Sequence, residues 1–279
     1  MAVVYNATMN FGTDDRNVVI KQVSRLKKFW KNELLMANKL LKQKATFSLY
    51  LYDWLIDEGF LHLYYEKAPL DLYELYEQYR NKSIPNFSHQ LSYHMFCVAQ
   101  MLIELHGMSL SHNDLKPENI VCRDASGIKL ALIDFGECTE NDFDAIYHMN
   151  TTEKHNYDNM CIGTTSYSHP SMFLRKPCNL FAHDLFSFAM MTVTLFIGKY
   201  LYNSASPVKD VIFWHNRFLD GTWPNHLLKF FPNLKNDALF VSFVDFVNYI
   251  IIKIQFADVN QRATSGLLDH EFLNAWRQI

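Results

Sequence analysis

The chain has 279 residues, 49% of them hydrophobic and 15% aromatic, with only 9 Gly and 8 Pro. That supplies core material for one large domain or two lobes sharing a cleft, and it excludes a disordered, collagenous or low-complexity chain. The net charge of −3 is uneven: residues 21–44 hold eight Lys/Arg against Glu33, or +7, which leaves about −10 on the remainder. An acidic bulk favours basic protein partners and argues against direct nucleic-acid binding.

The five cysteines are scattered, odd in number and without CxxC spacing. They predict an intracellular, reducing compartment and neither a disulfide scaffold nor a zinc site. The twelve His show no ligand-like pattern. The first twenty residues contain Asp14, Asp15 and Arg16, which does not fit a secretory signal. The longest weakly polar run, Leu185 to Gly198, is 14 residues. That is short of the roughly 20 needed to span a membrane, so a buried core helix is expected and no membrane partner.

Residues 2–11 and 17–23 are rich in Val, Ile, Tyr and Thr around the turn composition GTDDR, and predict two antiparallel strands with Lys21 inside the second. Residues 24–44 lack Gly and Pro and predict a helix with Ser24 as N-cap. Its apolar side gathers Leu26, Phe29, Trp30, Leu34, Ala37, Leu40 and Leu41, with Glu33 in the middle. A carboxylate there needs a partner, and Lys21 is the obvious one. Met36 widens the stripe and Leu35 lies opposite, so a second contact, with a partner or a second copy, competes with packing inside one lobe. Residues 47–56 and 60–66 predict two more strands around the Asp57-Glu58-Gly59 turn. After Pro69 the pattern turns helical, with Gly107 as a stop. Residues 137–180 read as irregular, 183–201 as an apolar helix, and 207–279 as further helices with loops at Trp223-Pro224 and Phe231-Pro232-Asn233.

The stretch 111–136, SHNDLKPENIVCRDASGIKLALIDFG, places Lys116 two residues and Asn119 five residues after Asp114, and then offers Asp134-Phe135-Gly136. Phosphoryl transfer needs an acceptor for a hydroxyl proton, a cation near the moving phosphate and oxygen ligands for magnesium, and this stretch has a candidate for each. With the strand Lys, the helix Glu, GTTSY and HDLFSF in the same order, the chain resembles the eukaryotic-type Ser/Thr protein kinases from about residue 17 to 275. Among these it is most like the virus-encoded kinases of baculoviruses.

The resemblance implies one α+β kinase domain, with a small, truncated β-rich lobe over 1–68 and a larger helical lobe over 69–279. It implies a Mg-ATP-dependent transfer to Ser/Thr hydroxyls, with manganese as an alternative metal. Asp114 matches the catalytic base and Lys116 the phosphate-binding lysine, while Asn119 and Asp134 match the magnesium ligands. Lys21 would bind the α- and β-phosphates, held by Glu33. Glu66 and Ala68 fall at the adenine-binding hinge, Tyr65 at the back of that pocket, and Val19 and Val121 on either side of the ring. Asp71 matches an acid that contacts ribose and a basic substrate residue. Thr164 and Tyr167 resemble the loop presenting the acceptor, and Asp184 matches the acid that braces the catalytic loop. The viral likeness implies a small basic DNA-packaging protein as substrate, in host cytoplasm or nucleus, which agrees with the acids Asp71 and Glu118.

Departures matter as well. No GxGxxG precedes Lys21, only Gly12, so the phosphate-covering loop is expected to be truncated or absent. Asn113 stands where these kinases carry an Arg that couples to a phosphorylated loop, which implies activity independent of such phosphorylation. His169-Pro170-Ser171 replaces Ala-Pro-Glu, leaving Arg262 without its expected acid. Lys21 and Glu33 are close in sequence, leaving little linker. The long segment after Asp134 carries Thr139, Thr151 and Thr152, candidates for self-phosphorylation. Two other readings stay open: a pseudokinase scaffold, favoured by the missing glycines and opposed by retention of all five reactive residues, and a small-molecule kinase, opposed by GTTSY.

Overall fold

The structure, a computed structural model, describes residues 2–12, 14–26, 30–82, 87–140, 146–147, 163–173, 178–201, 207–256 and 266–278. The chain begins with strands β1 (Val3–Asn10) and β2 (Asp15–Ser24), helix α1 (Trp30–Lys42), and strands β3 (Leu51–Ile56), β4 (Phe60–Glu66) and β5 (Leu70–Asp71). Helices α2 (Leu72–Asn81) and α3 (Phe87–Gly107) follow, then short strands β6 (Leu110–Ser111), β7 (Ile120–Cys122), β8 (Leu130–Leu132), β9 (Thr139–Glu140) and β10 (Ile146–Tyr147). The rest is α4 (Pro170–Phe173), β11 (Cys178–Asn179), α5 (Leu180–Ile197), α6 (Pro207–Leu219), α7 (Trp223–Phe230), α8 (Phe240–Phe256) and α9 (Glu271–Asn274). They form two compact units, Met1–Leu72 with Glu118–Cys138, and Tyr73–Pro117 with Thr139–Ile279. The α+β class read from the sequence is the one observed.

In the first unit an antiparallel sheet of order β1-β2-β4-β3 packs one face on α1. Alternation explains the face: Val23, Leu61 and Leu63 project to one side and meet Ala37 of the helix. The β3–β4 turn is held by the Asp57 carboxylate, which accepts from the Gly59 and Phe60 N–H groups. The small sheet β5-β7-β8 joins the same unit, with Leu132 N–H donating to the Phe47 carbonyl.

Two boundaries differ from expectation here. The helix predicted over 24–44 begins by Trp30, and Ser24 ends β2 instead of capping the helix. The reason is non-local: β2 pairs with β4 out to Ser24 opposite Phe60, and Arg25 N–H reaches the Gly59 carbonyl. Of the predicted apolar side, Leu26 is 97% exposed ahead of the helix; Phe29 lies outside the described residues. Residues 47–50 also stay out of β3. Tyr50 instead offers its carbonyl to Glu66 N–H, and Ser48 bridges to Leu132.

The second unit is built on α5, apolar all round and therefore buried, as expected of a core helix. It starts at Leu180, three residues before the predicted start, because Asn179 caps it by accepting from Phe181 and Ala182 N–H. It ends at Gly198, whose left-handed φ of 77° suits a residue without Cβ. By length and composition α5 could span a membrane, but its residues are buried in this unit. Phe196 stacks on Phe243 and Phe188 meets Phe246 edge-on, joining α5 to α8. Ser92 of α3 donates to the Phe272 carbonyl, tying in α9. Two predicted loops are helical: Trp223-Pro224 opens α7, where proline's missing N–H costs nothing, and Pro232–Asn236 forms a 3-10 turn.

Candidate active site

In the first unit, Lys21 lies in the middle of β2 between Val4 and Leu63. Its Nζ donates to Glu33 Oε1 at 2.7 Å and Asp134 Oδ1 at 2.8 Å. The expected Lys21–Glu33 pair therefore forms, and Asp134 joins it. Burial opposes the charge on Lys21, but the two carboxylates outweigh that and raise its pKa above the ordinary lysine value. Asp134 keeps a left-handed backbone, φ 65°, which an Asp tolerates better than most residues. Gly136 follows it for a steric reason: a Cβ there would stand 2.7 Å from Glu33 Oε2.

Asn119 ends a 3-10 turn just before β7, and Asp134 lies two residues beyond β8. Ile120 pairs with Leu132, and Ile133 N–H donates to the Asn119 carbonyl, so the two candidate metal ligands share one end of this hairpin. Both offer hard oxygen, and the Asp134 side chain is 45% exposed even with Lys21 bonded to it. Two protein oxygens with room for phosphate and water fit magnesium.

A cavity of about 710 Å³ in this unit is walled by Val19, Lys21, Glu33, Tyr65, Ile133 and Asp134, and extends along α1 to Leu40 and Leu41. Burial, with the charges of Glu33 and Asp134, pushes the Tyr65 phenol well above its usual pKa, so it stays protonated. Val121, expected opposite Val19, is buried in β7 and is not among the cavity walls. Glu66 ends β4, Ala68 follows it half-buried, and Asp71 pairs with Val121 in β5. Arg123 was not singled out from the sequence. It ion-pairs with Glu66 and donates to the Thr46 and Ser48 carbonyls, clamping the end of β4 to the stretch before β3. Nothing local in the sequence marks it, because its partners lie more than 50 residues away.

In the second unit, Asp114 Oδ2 accepts from Lys116 Nζ at 2.8 Å and its Oδ1 from the Thr164 hydroxyl at 2.7 Å. Lys116 also donates to Thr164 Oγ1 at 2.8 Å, closing a three-residue cluster. The loop carrying Asp114 is braced from α5. Asp184 accepts from His112 N–H and Asn113 N–H, both at 2.8 Å, and faces His106 Nε2 at 2.9 Å. Burial opposes ionisation of Asp184, but the His106 hydrogen bond and the surrounding histidines outweigh it and hold its pKa below the usual carboxylate value. His183 adds a second brace, its Nε2 at 3.2 Å from the Asn113 carbonyl while its Nδ1 accepts from His169 N–H. That pair of roles fixes a neutral ring with the proton on Nε2.

Asn113 sits at φ 67° and donates its carboxamide to Thr139 Oγ1 at 3.0 Å, and Ser111 shares the same hydroxyl at 2.9 Å. Thr139 is thus engaged by neutral groups, whereas Thr151, Thr152 and Arg262 lie outside the described residues. Gly163 is needed where it stands, since a Cβ would approach the Asn113 carbonyl oxygen to 2.1 Å. Tyr167 is buried, and Glu118, in the first unit, is half-buried.

The protein kinase domain family matches residues 1–264. Similar proteins include the dual specificity protein kinase CLK2 of Mus musculus, 23% identical over 69% of this chain and 40% of that protein. Protein kinase gsk31 of Schizosaccharomyces pombe is 28% identical over 56% and 38%, and the glycogen synthase kinase-3 homolog YGK3 of Saccharomyces cerevisiae 27% over 73% and 53%. The chain thus spans about half or less of the length of these relatives. Members of the family generally use ATP and magnesium. On the extent of the family match, this chain belongs to the protein kinase domain family.

Proposed function

We propose that this chain is an active Mg-ATP-dependent Ser/Thr protein kinase with a preference for basic protein substrates. The observation that carries the reading is Lys21 bonded at once to Glu33 and Asp134, 12 and 113 residues away. A cation so placed suits the phosphates of a nucleoside triphosphate, and the retention of Asp114, Lys116 and Asn119 beside it favours transfer over a scaffold that only binds.

Lys21 would hold the α- and β-phosphates, with Glu33 fixing its position. Asn119 and Asp134 would hold magnesium, which when bound offsets charge on the β- and γ-phosphates. Val19 and Tyr65 would wall the adenine side, with backbone groups of Glu66 and Ala68 as its hydrogen-bonding partners and Asp71 toward ribose. Asp114 would accept the proton of the substrate hydroxyl as its oxygen bonds to the γ-phosphorus and the bond to the β-phosphate oxygen breaks, leaving the nucleoside diphosphate. Lys116 would neutralise charge on the moving phosphoryl group. The Thr164 hydroxyl, bonded to both residues, would hold them until substrate arrives.

Basic substrates are favoured by the charge of about −10 outside residues 21–44 and by Asp71. A viral DNA-packaging protein is the specific substrate that the baculovirus likeness suggests. Labelled ATP, a protamine-like substrate and an Asp114→Asn control test the reading. Label on Ser and Thr above the control is expected. Retained nucleotide binding without transfer would make the chain a scaffold.

Self-association through the α1 region is a second proposal, favoured by Leu35 at 60% and Leu26 at 97% exposure. Light scattering across concentrations tests it, and a strict monomer with concentration-independent specific activity would remove it.

A further inference from the structure

We infer that Asn32 is a positioning residue for phosphoryl transfer: its carboxamide pins α1 to the turn that follows Asp134. This rests on the proposed kinase activity and adds a residue to it. The Asn32 Nδ2 lies 2.9 Å from the Gly136 carbonyl and 2.7 Å from the Cys138 carbonyl. A carboxamide nitrogen has two hydrogens, and two carbonyl acceptors use both, which fixes the orientation of the amide.

The neighbouring residue, Glu33, approaches the same turn from α1, its Oε2 standing 2.7 Å from where a Cβ at position 136 would lie. Consecutive helix residues therefore grip one short segment in different ways. Asn32 bonds its backbone, and Glu33 reaches Asp134 through Lys21. The ion pairs alone cannot set the distance, because a lysine has a flexible four-carbon stem that follows its partners. Two directional bonds to carbonyls of one backbone turn can. The pin holds Glu33, Lys21 and Asp134 in one arrangement, and no charged or phosphorylated group takes part in it.

Two variants test this. Asn32→Leu keeps the bulk and removes the donor; Asn32→Asp keeps the shape and turns a carboxylate toward two carbonyl oxygens. For Asn32→Leu, kcat should fall about tenfold or more, with the KM for ATP moving less than about threefold. For Asn32→Asp, which sets two carboxylate oxygens against two carbonyl acceptors, kcat should fall at least as far. A purely structural role would lower the melting temperature while leaving kcat of the folded protein unchanged in both variants, and would overturn the inference. If the wild type transfers no phosphate above Asp114→Asn, the kinase reading fails, and amide exchange over residues 135–140 decides the pin. Faster exchange in Asn32→Leu upholds it; unchanged exchange overturns it.

Discussion

Lys21 shows how one charge can be both tolerated and used. Its side chain is only 13% exposed, and Glu33 beside it 7%, so neither would be stable ionised alone. Their stabilising pairing is fully present below the ordinary lysine pKa of 10.5 and is lost only as the pH rises through the raised folded value. Lys21→Met leaves Glu33 buried without its cation. It should cost about 3 kcal/mol in urea unfolding and at least about 100-fold in transfer rate. His169 works in the opposite direction. Burial, with His183 and His215 nearby, lowers its pKa to about 3. The unfolded histidine takes a proton near pH 6.5 while the folded one does not, so the stability it contributes is present above that pH and lost as the pH falls toward 3. The melting temperature should therefore drop below about pH 6.5, and His169→Phe should make that drop shallower.

At the scale of elements, the second unit ties the Asp114 loop to α5 and to the segment around Gly163. Gly163 has φ 76° and no room for a methyl group beside the Asn113 carbonyl. Gly163→Ala should cost about 2 kcal/mol in thermal unfolding and reduce transfer more than binding of nucleotide, because Thr164 is displaced from Asp114 and Lys116. Much of this was legible beforehand. The four strands of the β1-β2-β4-β3 sheet, the apolar α5 and the pair Lys21–Glu33 follow from alternation, composition and a buried carboxylate in need of a partner. What escaped was non-local. The β2 ladder carries Ser24 into the sheet although its sequence suits a helix cap. Asn32 and Arg123 look like surface residues until the chain brings carbonyls from 104 and 75 residues away to meet them. Trp223-Pro224 read as a loop because proline breaks helix interiors, yet it opens α7, where the penalty vanishes.

Across the whole molecule, the first unit gathers Lys21, Glu33, Asn119 and Asp134, and the second holds Asp114, Lys116 and Thr164. Residues 118–138 group with residues 1–72 in one compact unit, so the hairpin bearing Asn119 and Asp134 belongs with the sheet and α1. The first set is braced by the Asn32 amide, and the second by the Asn113 amide, the Ser111 and Thr139 hydroxyls and buried histidines, as well as by charge. Transfer without prior phosphorylation is the expected outcome. The most direct test is single-turnover transfer of labelled γ-phosphate by protein first treated with phosphatase, alongside Asp114→Asn and with Mg-ATP binding measured for both. The prediction is label on Ser and Thr of a basic substrate from the wild type, and a loss of about 100-fold or more in Asp114→Asn with binding unchanged. Equal label from the two proteins, or none from the wild type while it binds Mg-ATP, would contradict the assignment of Asp114 as the base of an active kinase.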